Sequence, residues 1–162
     1  MGFEKSYTPE KRKGREYLLS LEKAGKYVFH GSPDDIDVLE PRQAYGENEE
    51  NGDYEKDGES AVFATRFADV AIFRSLINER LGGDGSECGM SIDNDNNIYY
   101  RSSRDLLEKV KDHKGKVYVL KSEGFSDFKG LDCRSNEQVV PIEIVEVDCT
   151  DLPKNIDIIE SR

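Results

Sequence analysis

Three consecutive residues near the front of the chain, His30, Gly31 and Ser32, are the first candidates for chemistry. An imidazole can donate or accept a hydrogen bond, and it changes charge near neutral pH. Glycine has no Cβ, so a ligand can approach its backbone closely, and a serine hydroxyl both donates and accepts. Together these groups would make a polar edge for a sugar or for a ring that carries an amide.

A short strand over residues 27–29 is predicted to position this triplet, because its side chains are aromatic or β-branched and suit a pleated, half-buried surface. The Gly31-Ser32-Pro33 sequence that follows is typical of a turn. The sequence therefore predicts His30 at the end of a strand, beside a turn. A purely structural histidine would have the same neighbours, so this stretch alone leaves both interpretations open.

The apolar spacing and the turn residues predict an α+β domain with mainly antiparallel sheets. One helix is predicted to start at Thr8-Pro9-Glu10 and to end near Gly25, and a second to run from about residue 67 to residue 81. Further strands are predicted at 36–39, 61–65, 98–100, 116–120, 138–140 and 142–147, and a helix over 103–113. Residues 82–97 are predicted as a connector.

The length predicts a single domain over residues 1–162, with a helical lead-in at 1–26. Residues 42–60 are rich in acids and poor in apolar side chains, which indicates an acidic surface loop. A cation site and a lid over a ligand are the alternatives for that loop.

The charge balance limits the partners. The formal net charge is −11, which opposes nonspecific binding to nucleic acid or to an acidic membrane surface. The three cysteines are far apart and form no Cys-x-x-Cys pair, so we expect free thiols in a reducing compartment and no zinc site. No apolar run approaches the length needed to span a membrane, and we expect a soluble, cytoplasmic protein.

A calcium site is also not expected. The run Asp93-Asn94-Asp95-Asn96-Asn97 resembles the opening of a calcium loop, but Ile98 replaces the required glycine and Arg104 the last carboxylate. We therefore predict a turn there and no metal.

Three segments taken together resemble the ADP-ribosyltransferase fold family, which includes poly(ADP-ribose) polymerases and diphtheria-type toxins. Phe29-His30-Gly31-Ser32 resembles the first-strand motif, and Ala61-Val62-Phe63-Ala64 with the helix through Phe73 resembles the second block. Ser135-Asn136-Glu137-Gln138-Val139-Val140 is similar to the segment that carries the catalytic glutamate. The resemblance covers residues 27–147 and implies a fold of two packed, mainly antiparallel sheets with flanking helices.

The resemblance implies NAD as the substrate and makes Glu137 and His30 the candidate catalytic residues. His30 and Ser32 would hold the adenine-side ribose, and the Gly31 backbone would bind the nicotinamide amide. Glu137 would bind the nicotinamide ribose and stabilise the positive charge that develops as the glycosidic bond breaks. The acceptor of ADP-ribose is unidentified, with a protein among the possibilities.

The chain departs from the family at the aromatic positions. Val62 stands where a tyrosine usually stacks on nicotinamide, although Phe63 would replace it if the register shifts by one. Phe73 aligns with a later tyrosine and keeps a ring for stacking. Ser135 stands where arginine-modifying members carry a glutamate, which makes arginine a poor candidate acceptor.

Three functions remain open on the sequence. The first is an NAD-dependent ADP-ribosyltransferase, and the second is a module of the same fold that binds a nucleotide or a protein without turnover. The third is an acidic interaction protein whose net charge of −11 is itself the function.

Overall fold

The computed structural model describes residues 14–43, 45–47, 50–56 and 59–160, and the helix start predicted at Thr8-Pro9-Glu10 lies outside them. The helices are α1 (Gly14–Ala24), α2 (Ala68–Leu76) and α3 (Arg104–Lys109), with 3₁₀ turns at Glu79–Leu81, Val110–Asp112 and Cys149–Asp151. The strands are β1 (Tyr27–Ser32), β2 (Tyr45–Glu47), β3 (Tyr54–Lys56), β4 (Val62–Ala64), β5 (Cys88–Ile92), β6 (Ile98–Ser103), β7 (Lys114–Lys121), β8 (Ser126–Phe128), β9 (Asp132–Ser135), β10 (Glu143–Asp148) and β11 (Ile156–Ile159).

The strands form small sheets, and the predicted α+β class is confirmed. The central sheet is antiparallel with the order β1-β7-β10, and a second antiparallel sheet has the order β4-β9-β8. A third sheet, β11-β6-β5, is mixed because β11 runs parallel to β6. The prediction of two packed sheets is therefore wrong in number, since the described part of the chain contains three three-stranded sheets and the β2–β3 hairpin.

The two faces of the central sheet contribute to different cores, because successive side chains of a strand point to opposite faces. Phe29, Val117 and Val119 pack with α2 in the larger core. A smaller core contains Val28, Tyr118 and Leu120 of the central sheet together with Val62, Ala64 and Cys133 of the second sheet. Both faces of β7 are buried, which makes it the central element of the fold.

Two glycines on neighbouring strands let α2 approach the central sheet closely. A Cβ on Gly31 would lie 1.9 Å from the carbonyl oxygen of Ala71, and one on Gly115 would lie 2.5 Å from the hydroxyl of Ser75. The helix begins without a cap of its own, since the side chain of Phe67 makes no capping hydrogen bond. The Glu22 carboxylate of α1 accepts a bond from the Ala68 N–H instead, at 2.6 Å.

Several element boundaries differ from the prediction. β1 continues through Ser32, so His30 and Gly31 lie within a strand rather than at its end, where Gly31 is paired opposite Val117. The helix predicted to reach residue 81 ends at Leu76, because Ile77 adopts extended backbone angles and buries its side chain in the core.

The connector predicted over residues 82–97 contains a strand. β5 pairs with β6 across a turn in which the Asp93 carboxylate accepts hydrogen bonds from the backbone of Asp95 and Asn97. The turn and the hairpin arm at 98–100 are confirmed. The strands predicted at 36–39 and 138–140 are reduced to one bridge between Leu39 and Val139.

The acidic loop and the helices can each be compared with the prediction. Part of the predicted acidic loop at 42–60 is occupied by the β2–β3 hairpin. Among the residues that the structure describes, no helix combines the length and the apolar character needed to cross a membrane.

Candidate functional site: the cleft beside His30

Strands β1 and β4 pair at one position and then separate. The Phe29 N–H donates to the Thr65 carbonyl at 2.7 Å, and the Thr65 N–H donates to the Phe29 carbonyl at 2.8 Å. Continued antiparallel pairing would place Gly31 opposite Phe63. The described chain has no such bridge. The side chain of His30 fills this position instead, with its Nδ1 atom 2.8 Å from the Phe63 carbonyl oxygen.

Burial and this hydrogen bond together determine the protonation and the tautomer of the imidazole. Burial lowers the pKa of His30, and it outweighs the bond to Phe63, which acts in the opposite direction. The positive charges of Arg74 and Arg42 lower that pKa further. His30 is therefore neutral at pH 7, and because Nδ1 faces a carbonyl oxygen it carries the proton. The Nε2 atom is left as a hydrogen-bond acceptor.

A cavity of about 390 Å³ lies beside this ring, and we call it the His30 cleft. Its wall includes His30, Ser32, the 34–36 segment, Val62 and Phe63. Histidine, serine and an aromatic ring in one concave surface are suited to a polar ligand with a flat or ring-shaped part.

Two of the three carboxylates at the His30 cleft form ion pairs, and the third, Glu40, forms none with a described residue. Asp35 lies 2.7 Å from the Lys116 ammonium, and Asp34 lies 3.5 Å from the guanidinium of Arg80. Arg42 is the cation among the described wall residues. The cleft thus opposes an anionic ligand less than its content of acids indicates.

The 34–36 segment is held by a buried tyrosine. The Tyr118 hydroxyl donates to the carbonyl of Asp34 at 2.5 Å and accepts from the Ile36 N–H at 2.9 Å. The Ser32 hydroxyl accepts from the Asp34 N–H at 3.1 Å. Ser32 is buried, so its predicted contact with a ribose requires a ligand that reaches the base of the cleft.

Backbone bridges at two residues of the wall, Leu39 and Arg42, also hold it in place. Leu39 exchanges two backbone hydrogen bonds with Val139, at 2.8 and 2.9 Å. Arg42 exchanges two with Ala61, both at 2.9 Å. The segment that forms one wall of the cleft is therefore tied to two other parts of the chain.

The backbone polar groups of Gly31 and the position that a Cβ would occupy face different surroundings. Because the Phe29 N–H and carbonyl point toward β4, strand alternation directs those of Gly31 to the same side, where β4 has moved away. No described residue forms a backbone bond with Gly31 on that side. The Cβ position faces α2, so packing alone already requires glycine here.

The structure assigns different positions to the predicted aromatic residues. Val62 is 2% exposed in the smaller core, whereas Phe63 is half-buried, contributes to the wall of the cleft and packs 5.9 Å from the ring of Phe128. Phe73 is 1% exposed and packs 5.2 Å from Tyr100 in the larger core. The prediction that Phe73 stacks on a ligand is wrong, because surrounding side chains enclose its ring.

Glu137 lies outside the wall of the His30 cleft. It occupies an exposed bend directly after β9, and not the start of a strand as predicted. Its N–H donates to the Ser135 hydroxyl at 3.3 Å. Because Ser135 is paired opposite Val62, the Glu137 backbone leaves the sheet near the cleft, with an exposed side chain.

The structure thus brings His30, Ser32 and Phe63 together, with the Gly31 backbone beside them. Sequence reasoning missed Tyr118, although its register opposite His30 follows once the 27–32 and 114–121 strands are paired. Within the described residues, no group of three or more histidine, cysteine, aspartate or glutamate side chains is arranged to hold a metal ion.

Comparison of the chain with protein-family models, with curated proteins and with solved structures found no match.

Proposed function

We propose that the His30 cleft binds NAD and that the protein is an NAD-dependent ADP-ribosyltransferase acting on an unidentified acceptor. The observation that carries the proposal is the separation of β1 from β4, where His30 bonds to the Phe63 carbonyl. This arrangement leaves the Nε2 acceptor of His30 at the cleft, and it directs the backbone N–H and carbonyl of Gly31, the next residue, toward the gap between the two strands. A ribose hydroxyl matches the first, and a carboxamide matches the second.

The chemistry of transfer requires a carboxylate near the breaking bond. Departure of nicotinamide leaves a sugar with oxocarbenium character, and a fixed negative charge lowers the energy of that state. Glu137 is our candidate for this role, because its backbone leaves β9 beside Val62, which contributes to the wall of the cleft.

A second candidate function is ligand binding without turnover. The exposed position of Glu137 outside the cleft and the enclosure of Phe73 in the core favour it. In this function the His30 cleft binds a nucleotide, and the chain acts through that bound state.

One experiment separates the two functions. NAD binding is measured by calorimetry and nicotinamide release by chromatography, for the unmodified protein and for the Glu137→Gln, Glu123→Gln and His30→Asn variants. Glu123 is an exposed carboxylate in the turn after β7 and serves as the matched control. Asparagine at position 30 keeps a donor for the Phe63 carbonyl but removes the Nε2 acceptor, so we expect NAD binding to weaken on the order of 10-fold.

Nicotinamide release that is lost in Glu137→Gln and kept in Glu123→Gln supports transfer. NAD binding that is weakened in His30→Asn, without release by the unmodified protein, supports the binding module. Absence of NAD binding to the unmodified protein contradicts the transferase and any binding module whose ligand is NAD.

A further inference from the structure

A second, smaller cavity of about 200 Å³ lies at the end of the β4-β9-β8 sheet. Its lining is polar and includes Arg134, Asn136 and the hydroxyls of Ser60, Ser126 and Ser135. The exposed Glu59 is the one carboxylate among its described lining residues. We call this the Arg134 cavity. Hydroxyl, amide and guanidinium donors around one small volume are the groups that bind an anion.

Arg134 is oriented by an aromatic ring and forms no ion pair with a described carboxylate. Its guanidinium carbon lies 4.2 Å from the centre of the Phe128 ring, which orients the planar group. The Nη1 atom is buried and has no hydrogen-bond partner among the described residues. Five other arginines form ion pairs within the described chain, for example Arg66 with Asp127 at 2.8 Å and Arg74 with Asp132 at 2.6 Å, whereas Arg42 and Arg101 form none with a described residue.

An unpaired buried donor on a cation needs a physical explanation, because leaving such a group unsatisfied costs free energy. The chain has 34 acidic residues, so carboxylate partners are abundant, yet Arg134 contacts none of the described ones. An anion in the cavity would give the guanidinium a charged partner, and Nη1, which is enclosed in the present arrangement, would gain one through a shift of the side chain.

The Arg134 cavity adjoins the His30 cleft. Ala61 contributes to the lining of both. In the β4–β9 pairing, Phe63 of the cleft lies opposite Arg134, and Val62 lies opposite Ser135. Paired strands are about 4.8 Å apart, so these residues of the two linings are direct cross-strand neighbours.

We propose that the Arg134 cavity is an anion subsite that binds a phosphate group of the ligand held in the His30 cleft. Arg134 donates to the phosphate oxygens, and Asn136 with the serine hydroxyls completes the shell. This inference rests on the proposed function and deepens it, since it assigns the residues that hold the diphosphate of NAD.

The test compares three ligands with four variants. NAD, nicotinamide riboside, which lacks phosphate, and inorganic pyrophosphate are titrated by calorimetry into the unmodified protein. The same titrations are made with Arg134→Gln, Asn136→Ala, Arg134→Lys and Arg66→Gln. Arg66 is the matched control, because it removes one positive charge nearby while its side chain is paired with Asp127 outside both cavities.

We expect Arg134→Gln to weaken NAD and pyrophosphate binding by about 10- to 100-fold, the effect of losing a charge-assisted bond, and to leave nicotinamide riboside unchanged. Arg134→Lys is expected to lose less, because it keeps the charge but not the planar fork. Asn136→Ala, which leaves the contact with Phe128 intact, is expected to weaken pyrophosphate several-fold, and Arg66→Gln to change nothing.

The outcomes separate this inference from the proposed function. Equal losses of NAD and nicotinamide riboside in Arg134→Gln, or no loss of either, overturn the anion subsite. Absence of binding of NAD and of nicotinamide riboside to the unmodified protein contradicts the proposed function alone. In that case pyrophosphate binding that depends on Arg134 still supports the subsite, and its absence overturns it.

Discussion

The Nδ1 atom of His30 lies 2.8 Å from the backbone carbonyl oxygen of Phe63, at the point where β1 and β4 stop pairing. This side-chain bond takes the place of a backbone bond that continued pairing would supply. It connects two sheets, and it also determines which imidazole nitrogen is free for a ligand.

The first prediction concerns the pH dependence of stability through His30. Its pKa in the folded protein lies below the ordinary value of 6.5, so between those two values the unfolded chain binds a proton that the folded chain does not. Stability should therefore fall as the pH falls from 6.5 through the lowered pKa, by roughly 1.4 kcal/mol for each unit of depression. Urea unfolding from pH 7.5 to pH 4.5 measures this loss.

The control for that prediction is His30→Asn, which keeps a donor for the Phe63 carbonyl but does not titrate. The loss of stability on acidification should be smaller in this variant than in the unmodified protein. Equal losses in the two proteins would show that His30 is not kept neutral by the fold.

The second prediction concerns the contact between β1 and α2. Gly31→Ala places a methyl group 1.9 Å from the Ala71 carbonyl oxygen, a backbone atom that moves only with the helix. We expect a loss of about 1–3 kcal/mol in the free energy of unfolding. Gly83→Ala is the matched control, since a Cβ there meets nothing within 4 Å. Chemical denaturation of both variants checks the prediction, and equal effects would contradict it.

The third prediction concerns Tyr118. In Tyr118→Phe the Asp34 carbonyl and the Ile36 N–H lose their common partner inside the protein. We expect a loss of about 1–3 kcal/mol in stability and faster hydrogen exchange of the Ile36 amide. Unchanged exchange at Ile36 would mean that the hydroxyl does not hold this wall of the His30 cleft.

The fourth prediction separates two contributions of Glu22. Its carboxylate caps α2 through the Ala68 N–H, but burial raises its pKa above the ordinary 4.5 and so disfavours the charged form. The folded state then holds more protons than the unfolded chain above pH 4.5, and stability should fall as the pH rises through that window. Glu22→Gln keeps the acceptor and should lose that part of the pH dependence.

Glu22→Ala removes the acceptor as well, and it should cost about 1 kcal/mol at pH 7 relative to Glu22→Gln. Thermal or urea unfolding at pH 5 and pH 7 distinguishes the two effects. If both variants are equally stable, the Glu22 carboxylate does not act as a cap.

The elements with strong apolar patterns could be predicted from the sequence. Successive side chains of the strand at 116–120 enter two different cores. The strand at 61–65 is a continuous run of mostly apolar residues with mostly small side chains, which is typical of a buried strand. β5 and β9 could not be predicted in this way. Gly89 and Ser91 interrupt the apolar residues of β5, and Asp132 and Arg134 interrupt those of β9. These strands are specified by their pairing, β5 with β6 and β9 with β4 and β8, and not by a local apolar pattern.

The candidate site was predictable where it depended on one local stretch. His30 and Ser32 line the same cleft, as their closeness in the sequence suggested, although both lie in β1 and not at a strand end beside a turn. The position of Phe73 depended on which helix face meets the core, and Tyr100 covers its ring from a distant strand. The predicted position of Glu137 depended on a strand at 138–140. Pro141 follows that segment, which forms a single bridge at Val139.

The bridges from Leu39 to Val139 and from Arg42 to Ala61 have a consequence for affinity. They hold one side of the His30 cleft in its final shape before any molecule enters. The conformational entropy of that segment is thus lost during folding, and it is not subtracted again from the free energy of association. A small ligand can bind here with few contacts.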